Sequence, residues 1–178
     1  RLMDNPSLEE KIKAAGKAIG IMEGKEQGEK LAEKIKDHIP LVYGSTLNLP
    51  ICYNWKIKFN ETAKIPAFYN VFPELNHNEM TGFDAIGTTE GLSRKFHFLF
   101  LTDSADHPQN QKRMAICKKL YTDRGLMVTE IPLQGNSALE KIFNSLLIAD
   151  WTAVHLSKMY GTEAEQVPMV EEFKRLIA

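Results

Sequence analysis

Four short apolar runs, each parted from the next by a helical segment, constrain this chain more than any other feature. They are Ile39-Pro40-Leu41-Val42-Tyr43, Ala67-Phe68-Tyr69-Asn70-Val71, Phe96 to Leu101 and Met127 to Ile131. A strand that reads as an unbroken apolar run is buried on both faces, and strands of that kind belong to a parallel sheet covered by helices on each side. Segments about 49–64, 77–83, 108–124 and 136–160 carry the helical pattern between the strands, and a last helix, about 166–177, closes the chain. The alternation predicts an α/β fold. Turn signals follow three of the runs: Gly44-Ser45, Asp103-Ser104 and Gly135-Asn136. Ligands of such sheets sit outside the carboxyl ends of the strands, so residues just after each strand are the first to inspect.

Ahead of the first strand, residues 7 to 37 are helical in character, with Ser7-Leu8-Glu9-Glu10 matching a capping box. Glycines recur at Gly16, Gly20, Gly24 and Gly28, each weakening a helix by roughly 1 kcal/mol relative to alanine. They predict a break near Gly24 and two helices, about 7–22 and 26–37; one long helix packed through a glycine face is the alternative. At 178 residues and 43% hydrophobic, the chain can bury one core, which makes a single domain the default. The net charge of −1, with lysines and arginines scattered, leaves no basic stripe for nucleic acid. No run of about 18 apolar residues is present, which argues against a transmembrane helix. The opening RLMDNPSLEEK carries no apolar signal core. Arg1 leads directly into a helical pattern, so the chain is expected to be a piece of something longer. Cys52 and Cys117 stand apart with no metal-ligand spacing, consistent with buried thiols in a reducing cytoplasm.

The chemistry concentrates in FNETAKIPAFYNVFPELNHNEMTG, Phe59 to Gly82. It gathers Glu61, Glu74, Glu79, His77 and the amides of Asn60, Asn70, Asn76 and Asn78. Acid and base groups brought close together are what proton transfer needs. Glu61 falls late in the helix 49–64, where Pro50 suits the first turn and Ile51, Trp55, Phe59 and Thr62 share one face. A carboxylate there faces the negative end of the helix dipole, a placement that suits a general base; the plainer alternative is a solvated glutamate paired with Lys58 or Lys64. His77 follows a strand and a Pro-Glu turn, where a histidine can move protons at physiological pH or simply sit in a loop. Gly44-Ser45-Thr46 could hold a phosphate with backbone N–H groups and hydroxyls, though the sequence contains no GxGxxG or GxxxxGK[ST]. His155 and Lys158 lie on the long helix 136–160 near Trp151 and Tyr160. Asp103, Ser104 and Asp106 hint at magnesium, but no second acidic cluster follows another strand, and no metal site is expected.

The run FNETAKIPAFYNVFPELNHNE resembles the signature of the bifunctional phosphoglucose/phosphomannose isomerases of archaea and bacteria, in their C-terminal half. Pro40-Leu41-Val42-Tyr43-Gly44-Ser45, Gly135-Asn136-Ser137, Ala149-Asp150-Trp151 and the tail VPMVEEFKRLIA resemble its other landmarks, so the likeness covers roughly residues 26 to 178. The resemblance implies a sugar isomerase (SIS) domain: three layers, a parallel β-sheet flanked by helices, flavodoxin-like. It implies residues 1–25 as a linker or helix from the interdomain region and 26–178 as the C-terminal SIS domain. The missing N-terminal SIS half would supply most of the phosphate grip. The implied reaction converts glucose 6-phosphate and mannose 6-phosphate to fructose 6-phosphate through a cis-enediol, with no metal or other cofactor. By motif position Glu61 is the base and His77 serves ring opening, supplied across the interface of a homodimer. Ser45, Asn60 and Asn78 are candidate substrate contacts. The late-helix position where the family can use a lysine falls on His155, with Lys158 one turn further on. A cytoplasmic enzyme working on a soluble sugar phosphate, without nucleic acid or membrane, is the expectation; a non-catalytic SIS module that binds a sugar phosphate is the alternative.

Overall fold

The computed structural model describes residues 6 to 178, so the expectation attached to Arg1 lies outside the described residues. Four parallel strands form one sheet in the order β2-β1-β3-β4: β1 Ile39–Ser45, β2 Phe68–Phe72, β3 Phe96–Thr102 and β4 Met127–Pro132. The helices are α1 Pro6–Ala18, α2 Ile21–Ile35, α3 Leu49–Lys58, α4 Glu79–Gly82, α5 Glu90–Ser93, α6 Pro108–Asp123, α7 Ala138–Tyr160 and α8 Pro168–Ile177.

The apolar runs become strands because each one feeds two cores. Val42, Leu99, Leu101 and Ile131 turn toward Leu31, Ile35, Trp55 and Leu156 of α2, α3 and α7. The alternate residues Leu41, Tyr43, Phe98 and Phe100 turn toward Met114 and Tyr121 of α6. Helix layers on both faces bury the central strands β1 and β3, whereas the edge strands β2 and β4 are mostly half-exposed; this is the three-layer arrangement expected. Both cysteines are buried free thiols.

Several boundaries moved, for physical reasons. The break between the first two helices falls at Ile19-Gly20, not near Gly24. Gly24 and Gly28 lie buried inside α2, where they let α7 approach. A Cβ on Gly28 would stand 2.6 Å from the Trp151 Cβ and 2.9 Å from the Thr152 backbone nitrogen. Both sequence readings thus held in part: the helix is broken, and a glycine face packs closely. The break also means that α2 runs across residue 25. Ser7 falls inside the first turn of α1 rather than capping it, since the helix already includes Pro6. The helix expected over 77–83 contracts to Glu79–Gly82, leaving His77 on the turn before it. The helix expected over 49–64 is α-helical only to Lys58 and then widens into a π-helical turn, Phe59–Ala63.

The two ends of the sheet differ in what they hold. Because α7 starts after β4 and runs antiparallel to the strands, its last turn lies at their amino ends, where the Tyr160 hydroxyl accepts from the Asp37 backbone N–H at 2.7 Å. His97, in β3, is buried; its Nε2 lies 2.9 Å from the Thr129 hydroxyl, and its ring meets His38 edge-on at 6.1 Å. Burial, aided by the charges of His38 and Lys34, holds the His97 pKa down to about 4. An unfolded chain takes up a proton at this residue near pH 6.5, which the folded chain refuses until about 4. His97 therefore subtracts stability as pH falls through that window and changes nothing further below it. Urea midpoints of the wild type and His97→Gln, measured at pH 7 and 4.5, should converge or cross at the lower pH. Parallel pH profiles would contradict this.

Candidate active site

The π-helical turn that carries Glu61 is held on every side except the one Glu61 occupies. Phe59 and Ala63 are fully buried against the core, below Trp55. Asn60 donates from Nδ2 to the Ile65 carbonyl at 2.9 Å. Lys64 closes the turn with φ of 60°, in the left-handed region that a side chain rarely adopts. Its ammonium donates to the Glu61 carbonyl and, at 3.3 Å, to the Ala164 carbonyl beyond α7. Lys58 pairs with Asp150 at 2.8 Å. The pairing of Glu61 with Lys58 or Lys64 that the sequence allowed is therefore not made. Among the described residues the exposed Glu61 carboxylate has no hydrogen-bond or ion-pair partner. π-Helical turns and non-glycine residues at positive φ recur where backbone strain serves a site.

The second group lies at the other end of β2. A cis peptide bond joins Phe72 to Pro73, and a 3-10 turn, Glu74–Asn76, leads to His77. Leu75 is fully buried, whereas His77 and Asn78 are exposed. Asn78 donates to the Glu74 carboxylate at 3.4 Å. Glu79 accepts from two neighbours on the sheet, the Tyr43 hydroxyl and Asn70 Nδ2. Of the three carboxylates in segment 59–82, Glu61 is the one with neither oxygen engaged.

Glu61 precedes β2 and His77 follows it, so the strand separates them. Five residues at about 3.3 Å each make a span of roughly 16 Å. One chain thus does not bring its Glu61 and His77 together. His155 and Lys158, in the last turns of α7, share the amino-end level with Glu61. His155 follows Trp151 by one turn on the side of α7 packed against α2, its ring 6.1 Å from the indole and its Nε2 buried without a hydrogen-bond partner among the described residues. Lys158 is exposed.

Ser45 ends β1 in a third place, the switch point between β1 and β3. It is fully buried, and its hydroxyl donates to Asp106 at 2.5 Å. Asn48 donates to Ser45 at 3.2 Å and to Asp106 at 3.4 Å, and Lys141 of α7 pairs with Asp103 at 2.5 Å. Burial pushes the Asp103 carboxyl up, but Lys141, the Ala105 N–H and Asn48 outweigh it and leave it below the ordinary carboxylate value. Burial, with the Asp103 charge, leaves the Asp106 carboxyl raised despite its bond from Ser45. Sequence reasoning saw the two aspartates but missed Asn48 and Lys141; Lys141 lies 38 residues beyond its partner, with no local sign of the pairing. Among the described residues no group of three His, Cys, Asp or Glu side chains is placed to hold a metal ion, and no helix is long and apolar enough to cross a membrane.

Residues 24–177 match the family model of the bacterial phospho-glucose isomerase C-terminal SIS domain. The bifunctional phosphoglucose/phosphomannose isomerase of Aquifex aeolicus is 33% identical over 150 residues, covering 84% of this chain and 46% of the relative. The enzyme of that name from Thermoplasma volcanium is 34% identical over 142 residues, covering 80% of this chain and 44% of the relative. The chain therefore spans about half the length of the curated relatives it matches. Among solved structures, a glucose-6-phosphate isomerase like protein from Thermus thermophilus superposes with a TM-score of 0.62 at 18% identity, covering 79% of this chain and 45% of that one. At that identity the likeness speaks for the fold alone.

Proposed function

The chain belongs to the bacterial phospho-glucose isomerase C-terminal SIS domain family, and from that premise we propose that it is the second half of an aldose–ketose isomerase. The enzyme would interconvert glucose 6-phosphate or mannose 6-phosphate with fructose 6-phosphate. The observation that carries the reading is that Glu61, alone among the three carboxylates of segment 59–82, is unengaged, on a turn braced at Phe59, Asn60, Ala63 and Lys64.

In this reading His77 assists ring opening by moving the proton between the ring oxygen and the C1 hydroxyl. Glu61 then takes the proton from C2 of the open aldose, the C2–H electrons form the C1–C2 double bond, and the aldehyde oxygen becomes the enediol hydroxyl by taking a proton from solvent, which the C2 hydroxyl gives back in the second half. Glu61 returns its proton to C1 as the C2 hydroxyl collapses to the ketone. One base on one face suffices for both transfers, and no electron leaves the substrate, so no redox partner is needed. Asn60 orients the turn, and Asn78 lies beside His77 to meet substrate. Lys158, exposed on the last turn of α7, is better presented to substrate than His155. Residues 1–25 would join the two halves and residues 26–178 form the second. The first half would hold the phosphate, because Ser45 has its hydroxyl committed to Asp106.

The separation of Glu61 from His77 along β2 favours a composite site, with each residue coming from a different copy in a homodimer. Subunit mixing tests this. Glu61→Gln and His77→Ala variants of the full-length protein should each be nearly inactive alone. Co-expressed, they should regain about a quarter of wild-type activity, because random pairing makes half the dimers hybrid and each hybrid has one intact site. No recovery from two inactive variants would refute the shared site.

A further inference from the structure

We infer that Glu79 is the positioning residue of the His77 segment, acting as a clamp between that segment and two neighbouring strands; the inference rests on the reading of His77 given above. The His77 ring has no partner among the described residues, so only its backbone can aim it. The backbone is anchored on two sides. On the N-terminal side Leu75 is fully buried in the aromatic core. On the C-terminal side, two residues beyond His77, both oxygens of Glu79 accept hydrogen bonds from the sheet.

The two donors are themselves rigidly placed. Tyr43 and Asn70 are register partners in adjacent strands β1 and β2. Tyr43 is fully buried among Phe72, Phe98 and Phe100, with ring centroids 6.0, 5.7 and 5.5 Å away. Burial, together with Tyr121 and Glu79, drives its hydroxyl far above the ordinary tyrosine value, so it remains a donor throughout the working pH range. Asn70 is oriented in turn by the Val71 backbone N–H, which donates to its Oδ1 at 2.8 Å and leaves Nδ2 aimed at Glu79. A carboxylate gripped by two strands fixes α4 and, through it, the residue two positions earlier. Glu79 needs to touch no substrate to matter, since a displacement of about 1 Å in a reacting group can lower turnover about a hundredfold.

The test uses donor–acceptor complementarity. In Glu79→Gln one of the two acceptors becomes an NH2 group: turned to Asn70 it sets donor against donor, and turned to Tyr43 it takes away the acceptor of that hydroxyl's proton. The full-length Glu79→Gln variant should lose about tenfold to a hundredfold in kcat with KM within about twofold of wild type. In Asn70→Asp/Glu79→Gln the pair is exchanged. The glutamine amide donates to the carboxylate now at position 70, and its carbonyl still accepts from Tyr43. The exchanged carboxylate, like the amide before it, still accepts from the Val71 N–H. That double variant should recover most of the lost kcat. Tyr43→Phe, which keeps the buried ring and removes one of the two bonds, should lose less than Glu79→Gln and guards against a folding defect in the latter. In parallel, the His77 imidazole proton resonance of the 178-residue chain should shift and broaden in Glu79→Gln and return in the double variant. A His77 resonance and kcat unchanged in Glu79→Gln would overturn the inference. So would a double variant that stays as slow as the single, because Glu79 would then act through its charge and not through its hold on the strands. The resonance does not depend on turnover, so an enzyme that proved not to be an isomerase would still reveal whether the clamp exists.

Discussion

Glu61→Gln, introduced into the full-length protein, is expected to lower kcat for both aldose phosphates at least about a hundredfold while leaving KM and stability near their wild-type values. The side chain is exposed and unpaired among the described residues, so its replacement breaks no contact of the fold. The amide keeps the size and shape of the carboxylate but cannot accept the C2 proton. General base catalysis contributes about a hundredfold to ten-thousandfold, and a hundredfold corresponds to about 2.7 kcal/mol of transition-state stabilisation. The measurement is fructose 6-phosphate formation from each sugar, with exchange of the C2 proton into solvent followed alongside. Both should fall together if Glu61 performs the abstraction. Near wild-type turnover would end the assignment of Glu61 and, with it, the isomerase reading of this turn.

The same substitution at three glycines should have three different outcomes. Gly28→Ala puts a Cβ 2.6 Å from the Trp151 Cβ and within 3.0 Å of two α7 backbone atoms. Backbone cannot rotate away as a side chain can, so α2 and α7 must separate along their shared seam. Overpacking of that kind costs about 1–3 kcal/mol, more than the roughly 1 kcal/mol that alanine gains over glycine in a helix. Gly24→Ala meets the Leu147 Cβ at 3.2 Å, a contact relieved by a shift of a few tenths of an ångström, so the two effects should nearly cancel. Gly16→Ala, in α1, meets nothing within 4 Å and should stabilise by up to about 1 kcal/mol. Urea unfolding of the three variants gives the order directly. Equal shifts at Gly16 and Gly28 would mean that α2 and α7 do not meet as described.

Much of this architecture was legible in the sequence because buried parallel strands have a simple signature. Phe96 to Leu101 reads as strand without knowledge of its neighbours, since nearly every residue must be apolar when both faces are covered. The glycines of the first helices signalled a break and a close contact together, and only the position of α7 decides which glycine serves which role. The end of α3 was harder to read: a π-helical turn differs from an α-helical one by a single residue in its hydrogen bonding, and nothing in FNETA announces it. The site motif was visible as a composition, but its division was not. That Glu61 and His77 belong to opposite ends of β2 follows from strand direction, which the sequence implies. That Glu79 is engaged and Glu61 free depends on Tyr43 and Asn70, 36 and 9 residues from Glu79, and pairings at such separations leave no periodic trace.

The ion pair between Asp103 and Lys141 has a bearing on selectivity. Sheets of this topology ordinarily admit anions at the β1/β3 crevice, yet here a visiting phosphate would meet two aspartates and a lysine already spoken for. Asp103 is buried and Lys141 partly so, and drawing the lysine away would leave the carboxylate without its partner, a cost of about 1–3 kcal/mol, or about tenfold to a hundredfold in affinity. The pair thus raises the cost of placing an anion in the crevice through charge and prior engagement alone, without any steric gate.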